Sequence, residues 1–339
     1  MSPRSASPTR VLLALGLVYV IWGSTYLAIR FAIETLPPFL MAGTRFLVAG
    51  AILYAWFRLR GTPAPELRHW KAALISGGLM LLGGNGLLSW AEQYVPSGLA
   101  ALLVSTAPLW LVLMAWRGPD RERPHGGEIA GLLLGLMGVG LLLAPSAEIL
   151  ESMAVEPRSF VFGAVAVLVA SLSWAAGSIY NRGAAFPTPQ LYATSLTMLG
   201  GGLLLLLTGM ARGELGQLSL NDLSLKSAAA LAYLIVFGSL VAFSAYIWLL
   251  RAVRPAVVGT YAYVNPVVAV ILGWSLAAEP LTPRTFVAMA IITGCVILVQ
   301  RAQRRSGHAR TTPAGDTDSP DDKATAPDTA VSEGGRSPA

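Results

Sequence analysis

Apolar residues come along this chain in runs of about 17 to 24, separated by short polar connections. They occupy roughly 11–29, 39–58, 72–92, 97–116, 128–144, 159–180, 190–210, 227–250, 255–278 and 283–300. Each run is long enough to cross a hydrocarbon core about 30 Å thick as a helix rising about 1.5 Å per residue. Backbone groups in lipid must be satisfied within their own segment, so the pattern predicts helices throughout. The connections are built from turn formers, as in Thr35-Leu36-Pro37-Pro38, Gly61-Thr62-Pro63-Ala64-Pro65 and Gly118-Pro119. Beyond Arg305 the chain is Ser, Thr, Pro, Asp and Gly with hardly an apolar residue, and 306–339 is expected to be a disordered cytoplasmic tail.

Composition changes the solvent and not the pattern. Of 339 residues, 54% are hydrophobic and only 12% charged, about half the usual charged share. The net charge of +6 does not point to nucleic acid, because the basic residues sit between apolar runs and form no basic domain with interleaved aromatics. They read better as topology determinants. With the N-terminus in the cytoplasm, Arg4, Arg10, Arg58, Arg60, Arg68, Lys71, Arg117, Arg121, Arg123, Arg182, Arg251, Arg254, Arg301, Arg304 and Arg305 fall inside, and only Arg30, Arg158, Arg212, Lys226 and Arg284 outside. That bias puts both termini in the cytoplasm and makes the helix count even. The first run is followed by nine more, so it is expected to be a first transmembrane helix and not a cleaved signal.

The chain repeats itself at an interval of about 155 residues. Trp22-Gly23-Ser24-Thr25-Tyr26 is echoed by Trp174-Ala175-Ala176-Gly177-Ser178-Ile179-Tyr180, Pro108 by Pro266, Trp90 by Trp248, and Gly138 by Gly294. Five helices per copy is an odd number, so the second copy enters the membrane in the opposite sense. The expected fold is an all-α membrane protein of ten transmembrane helices as two inverted five-helix repeats. One repeat spans 1–145 and the other 159–305, joined by an extracytoplasmic linker over 146–158.

Polar residues inside the spans are candidate lining groups. Arg45 lies about 9 Å into the second span at the helical rise and must snorkel, pair or face a wet cavity. Glu92, closing the third span, is its expected partner in an ion pair or a clamp on substrate charge. Pro108 and Pro266 each free a carbonyl, of Val104 and Ala262, and mark kinks where gating motions could occur, with Ser105, Thr106, Thr260 and Asn265 near enough to help. Trp22 and Trp110, near mid-span, are candidates for an aromatic cavity wall, with Ser24 and Tyr26 on the same motif and Tyr261 and Tyr263 in the ninth span. Trp90, Trp248, Tyr180 and Tyr246, near span ends, fit either that wall or an interfacial belt. Asn85, in Gly83-Gly84-Asn85-Gly86, is a cross-helix hydrogen bond or a substrate contact. The spacings Gly131-x3-Gly135 and Gly138-x-Gly140 read as packing stripes.

Enzymatic constellations are sparse. His69, His125 and His308 lie in loops or the tail, the one cysteine, Cys295, sits inside the last span as a small apolar residue, and there is no HExxH and no phosphate-binding GxxxxGK[ST] loop. No metal and no cofactor is implied.

Ala91-Glu92-Gln93-Tyr94-Val95-Pro96-Ser97-Gly98-Leu99-Ala100-Ala101-Leu102-Leu103, continuing to Pro108, resembles the first-repeat signature of the EamA family of the drug/metabolite transporter superfamily. Leu250-Arg251-Ala252-Val253-Arg254-Pro255-Ala256-Val257-Val258 through Tyr263-Val264-Asn265-Pro266 to Ala278-Glu279-Pro280-Leu281-Thr282 resembles the second. The opening Trp22-Gly23-Ser24-Thr25-Tyr26 with Arg45-Phe46-Leu47 is similar to its bacterial metabolite-exporter branch. The resemblance covers about 11–300 and implies ten helices, cytoplasmic termini and a cavity lined by helices one, three, four, six, eight and nine. One departure stands out: the glutamate closing the ninth helix is present as Glu279, but its first-repeat counterpart is replaced by Trp116-Arg117-Gly118-Pro119.

The expected function is secondary transport in the bacterial inner membrane, exporting small metabolites such as amino acids or amphipathic drugs by alternating access. The alternative is a non-transporting polytopic protein, a lipid-acting enzyme or an assembly scaffold. The expected partners are a small-molecule substrate and the lipid bilayer, with a proton or an exchange substrate as the coupling options and no nucleic acid. No Asp or Glu sits at mid-bilayer, so the sequence offers no clear proton relay.

Overall fold

The computed structural model describes residues 7–117, 126–144, 146–219, 221–253, 257 and 260–309, and all regular structure among them is helical. Helix α1 (Pro8–Ala32) and α2 (Pro38–Leu59) each open on a proline, whose missing N–H would be unbonded there in any case. The next helix, α3, runs as Leu67–Gly77, a π-helical stretch Gly78–Gly86, and Leu87–Ala91. It opens on a reciprocal cap between Glu66 and His69.

The fourth apolar run is not one helix. It is divided into α4 (Ser97–Val104) and α5 (Ala107–Arg117), separated by Ser105 and Thr106. Pro108 therefore does not kink a continuous helix; it occupies the first turn of α5, where proline is tolerated. Pro266 does lie inside a helix, α11 (Tyr261–Ala277). Between them come α6 (Gly126–Leu143), α7 (Ala147–Met153), α8 (Pro157–Gly183), α9 (Gln190–Ala211) and α10. Like α3, α10 has three parts: Leu225–Tyr233, a π-helical stretch Leu234–Val241, and Ala242–Ala252. The last helix, α12, covers Pro283–Ala309, so the chain stays helical past the expected end of the second repeat at 305; the remaining expected tail, 310–339, lies outside the described residues.

Six helices, α1, α2, α3, α8, α9 and α10, are long and apolar enough to cross a membrane. A seventh crossing arises if α6 and α7, bent by 60°, count as one. The segment expected as a plain linker thus carries a short helix, which Ser146 caps by accepting the Ile149 amide at 3.4 Å.

Helices pack mainly across the two halves of the chain: α2 along α9, α6 along α12, α1 against α11 and α10, α8 against the π-helical stretch of α3, and α4 against α11. Small residues permit this closeness. A Cβ on Gly77 would strike the Gly201 backbone, and one on Gly138 would lie 2.6 Å from Ile292 Cγ1. Gly140 has open space instead, while Gly135 and Gly138 of the expected stripes contact neighbours closely and the Gly131 carbonyl accepts Cys295 Sγ at 2.9 Å. Leu133, Phe162, Leu203, Ile271 and Phe286 are exposed on the outside of the bundle, an apolar surface suited to lipid.

Contacts also define the two ends of the bundle. At one, near Arg58 and Arg60, Tyr192 donates to the Pro63 carbonyl and Ser76 to Asn181. At the other, rich in glutamates, Ser227 donates to Phe31 and Arg284 to Leu141. They are called here the basic and the acidic end.

Candidate functional site

The two π-helical stretches organise the polar interior. Wide π turns leave carbonyls without helical partners and recur at functional positions. In α10, Trp22 Nε1 from α1 donates to the Gly238 carbonyl at 3.3 Å, and Arg45 Nε from α2 donates to Ser239 Oγ at 2.9 Å. Just before the stretch, the Tyr233 hydroxyl meets Ser24 Oγ at 2.6 Å. In α3, Ser173 from α8 donates to the Leu79 carbonyl at 2.7 Å, and Trp174 packs beside Gly84. The first helix of each half therefore docks on the π-helical stretch of the other half, through the two motifs that repeat in sequence.

Trp22 sits in an aromatic cluster, with ring centroids 5.4 Å from Phe243, 5.0 Å from Tyr246 and 5.3 Å from Tyr261. Beside it the Tyr19 hydroxyl bonds Thr260 Oγ1. Asn265, with its amide oriented to satisfy its neighbours, donates to the carbonyls of Tyr19 at 3.3 Å and Tyr261 at 3.2 Å. It joins α11 to α1 and serves packing in this conformation. The side chain of Tyr263 lies outside what the structure describes.

Arg45 is 5% exposed, with its guanidinium 4.7 Å from the Phe46 ring centroid. It does not snorkel, and it does not pair with Glu92. The carboxylate of Glu92 is fully buried, and neither oxygen has a hydrogen-bond partner among the described residues. The expected ion pair is thus absent because each cation nearby is held elsewhere: Arg45 by Ser239, and Arg30 by the Glu92 backbone carbonyl at 2.9 Å. Tyr26 is half-buried in the main core beside Glu92.

The break between α4 and α5 is satisfied from outside. Ser105 and Thr106 turn back on the Leu102 and Leu103 carbonyls, while the freed Val104 carbonyl accepts Ser171 Oγ of α8 at 3.1 Å. Trp110 has a buried Nε1 without a partner among the described residues, and half-buried Asn85 likewise makes no hydrogen bond there. Trp90 stacks on Tyr94 and Phe162 at the acidic end, at 5.1 and 5.6 Å. Trp248 is 38% exposed on the outside, and Tyr180 is half-buried near the end of α8, both consistent with a belt and not a wall.

A cavity of about 400 Å³ opens at the basic end between α3, α8, α9 and α10. Met80, Asn181, Thr194, Thr197, Met198 and Phe243 line it, and none of the lining side chains is charged. Asn181 Oδ1 accepts Ser76 Oγ at 2.8 Å while its amide contacts Met80 Sδ at 2.9 Å. None of the residues expected to line a cavity reaches this one. Asn181, Ser171, Ser173 and Ser239 were not foreseen; the available signal was the second-half motif, since Ser173 and Asn181 flank Trp174 and Tyr180. No group of three or more His, Cys, Asp or Glu that could hold a metal occurs among the described residues.

An all-helical bundle with lipid-suited flanks, two matched π-helical stretches and a neutral cavity at one end defines a polytopic membrane protein of the solute-moving kind. The chain belongs to the EamA-like transporter family, whose model matches it twice, over residues 9–144 and 161–301. It is 40% identical over 288 residues to the inner membrane transporter YedA of Escherichia coli K12, covering 84% of this chain and 89% of that one. It is 25% identical over 274 residues to the Bacillus subtilis transporter YoaV, covering 80% and 90%. It is 26% identical over 288 residues to a chloroplastic WAT1-related protein of Arabidopsis thaliana, covering 83% and 67%. One crystal structure shares the fold at a TM-score of 0.57 and 22% identity, over 88% of this chain and 99% of its own.

Proposed function

We propose that this protein is a secondary transporter of the bacterial inner membrane that exports small metabolites, amino acids or related compounds, or amphipathic drugs by alternating access. The observation that carries the reading is the reciprocal docking of α1 on α10 and α8 on α3. Such an exchange of contacts between halves is what an inverted repeat with a pseudo-two-fold axis in the membrane plane requires. If α6 with α7 and α4 with α5 each count as one crossing, the six long spans together with α11 and α12 bring the number to ten, which supports the ten-helix threading with cytoplasmic termini. The two family matches, one per half, support the division into repeats, and the inner-membrane relative supports the location.

The cavity points to the solute. Its wall mixes thioether, aromatic and hydroxyl or amide groups without a charge, which suits a solute that is net neutral and amphipathic and excludes one carrying several phosphates. At the acidic end Glu279 ties α4 to the end of α11. An entrance at the basic end with the acidic end closed is the state in which an exporter loads from the cytoplasm.

Counterflow in proteoliposomes tests the reading. Vesicles preloaded with neutral amino acids or uncharged amphipathic compounds are expected to accumulate tracer of the accepted solute. Phe243→Ala and Asn181→Leu are expected to reduce that accumulation. A protein that is folded, correctly inserted and inactive toward every class in the panel, yet modifies lipid, would overturn it.

A further inference from the structure

Buried carboxylates in this protein are otherwise well provided for. Glu214, 4% exposed, accepts the Phe39 and Leu40 amides at 3.3 and 2.9 Å, and half-buried Glu279 accepts the Ser97 and Gly98 amides at 2.7 and 3.1 Å. Glu92 differs. It is 0% exposed and both oxygens lack a donor among the described residues. An ionised carboxylate without donors is strongly disfavoured away from water, so the group must be neutral or must have a cation.

The groups around it come from five parts of the chain. Helix α1 supplies Tyr26 and Arg30, α2 supplies Arg45, and the segment after α11 supplies Glu279. Helix α8 lays uncharged Gly163 and Phe162 against the end of α3, and Arg212, just past α9, lies 6.0 Å from the Trp90 ring centroid. Both near arginines spend their hydrogen bonds elsewhere, Arg30 on the Glu92 backbone carbonyl and Arg45 on Ser239.

We infer that Glu92 is a proton-binding site, protonated while the acidic end is closed and ionised when it opens, with Arg45 then leaving Ser239 to pair with the carboxylate. The proton passes from the Glu92 carboxyl to water entering at that end, the carboxylate so formed gains the guanidinium, and nothing is oxidised or reduced. Proton binding and closure of the acidic end are thereby one event, so acid at that end favours the closed state. This use of the site rests on the transport reading; the proton binding itself does not.

The test needs no solute. Proteoliposomes of the full chain are adsorbed on a solid-supported membrane, and the charge displaced by a rapid acid step is recorded. The wild type is expected to give a transient, Glu92→Gln to lose it, Glu279→Gln to keep it, and Glu92→Asp to keep it with a shifted midpoint. An undiminished transient in Glu92→Gln would overturn the proposal, as would a transient evoked only by a sodium step at constant pH. Should Glu92→Gln fail to fold, Glu92→Asp decides: a midpoint identical to wild type would sink the idea. A flat acid response in protein that performs counterflow would reject proton binding and leave transport standing.

Discussion

The Glu279 carboxylate accepts the Ser97 amide at 2.7 Å, so a residue at the far end of the second half caps the first turn of α4 in the first half. Ala278, in the left-handed region at φ 53°, ends α11 and turns the chain toward that cap. A carboxylate on two helix N-terminal amides combines hydrogen bonding with the favourable end of the helix dipole. Glu279→Ala is expected to lower stability by about 1–2 kcal/mol, and Glu279→Gln by less. Thermal unfolding followed by tryptophan fluorescence in detergent reads the difference; equal midpoints for all three proteins would remove the cap from the account.

At Gly77 the α3 and α9 backbones touch, and a Cβ there has nowhere to go, whereas at Gly140 there is nothing within 4 Å. Gly77→Ala is expected to cost about 1–3 kcal/mol through overpacking. Gly140→Ala is expected to be neutral or slightly stabilising, because alanine is the better helix former. Both are read in one unfolding series, and a larger loss at Gly140 would contradict the packing described.

Arg45 and Ser239 form a buried charge-assisted hydrogen bond. Ser239→Ala is expected to cost about 1.5–3 kcal/mol, and Arg45→Lys cannot restore the bond because the ammonium lacks the Nε geometry. In a double-mutant cycle, Arg45→Leu should add little to Ser239→Ala in stability yet reduce counterflow further. Additive losses in stability would mean that the two residues act separately.

Thr197 lines the neutral cavity at the basic end. In a Cys295→Ser background, Thr197→Cys is expected to react with an impermeant maleimide in inverted vesicles and to resist it in intact cells. An accepted solute should slow the reaction. Asn181→Asp, which places a charge on the cavity wall, is expected to reduce transport about tenfold, or about 1.4 kcal/mol. Faster labelling from the outside of cells would reverse the topology.

Much of this was legible in the sequence because lipid imposes a long apolar period, and the spans 11–29 and 39–58 differ from α1 and α2 by only a few residues. Trp22 was expected on the wall of a cavity, and the structure places it instead in a ring cluster with Phe243, Tyr246 and Tyr261. The division of the fourth run was not legible. Pro108 announces a freed Val104 carbonyl but not whether the helix kinks or divides, and what steadies the break is Ser171, a residue far away in sequence that donates to that carbonyl. The Arg45 and Glu92 pairing failed for a related reason: opposite charge and similar depth say nothing of which partner wins, and Ser239 lies in a π-helical stretch that no apolar period encodes.

A π-helical turn takes one residue more than an α turn, so the part of the helix beyond it faces about 100° away from where an unbroken α-helix would aim it. In α3 that part ends at Glu92, and in α10 it carries Phe243 and Tyr246. A return of either stretch to plain α bonding would re-aim these side chains together like a key turning in a lock, with the rest of the rod left straight.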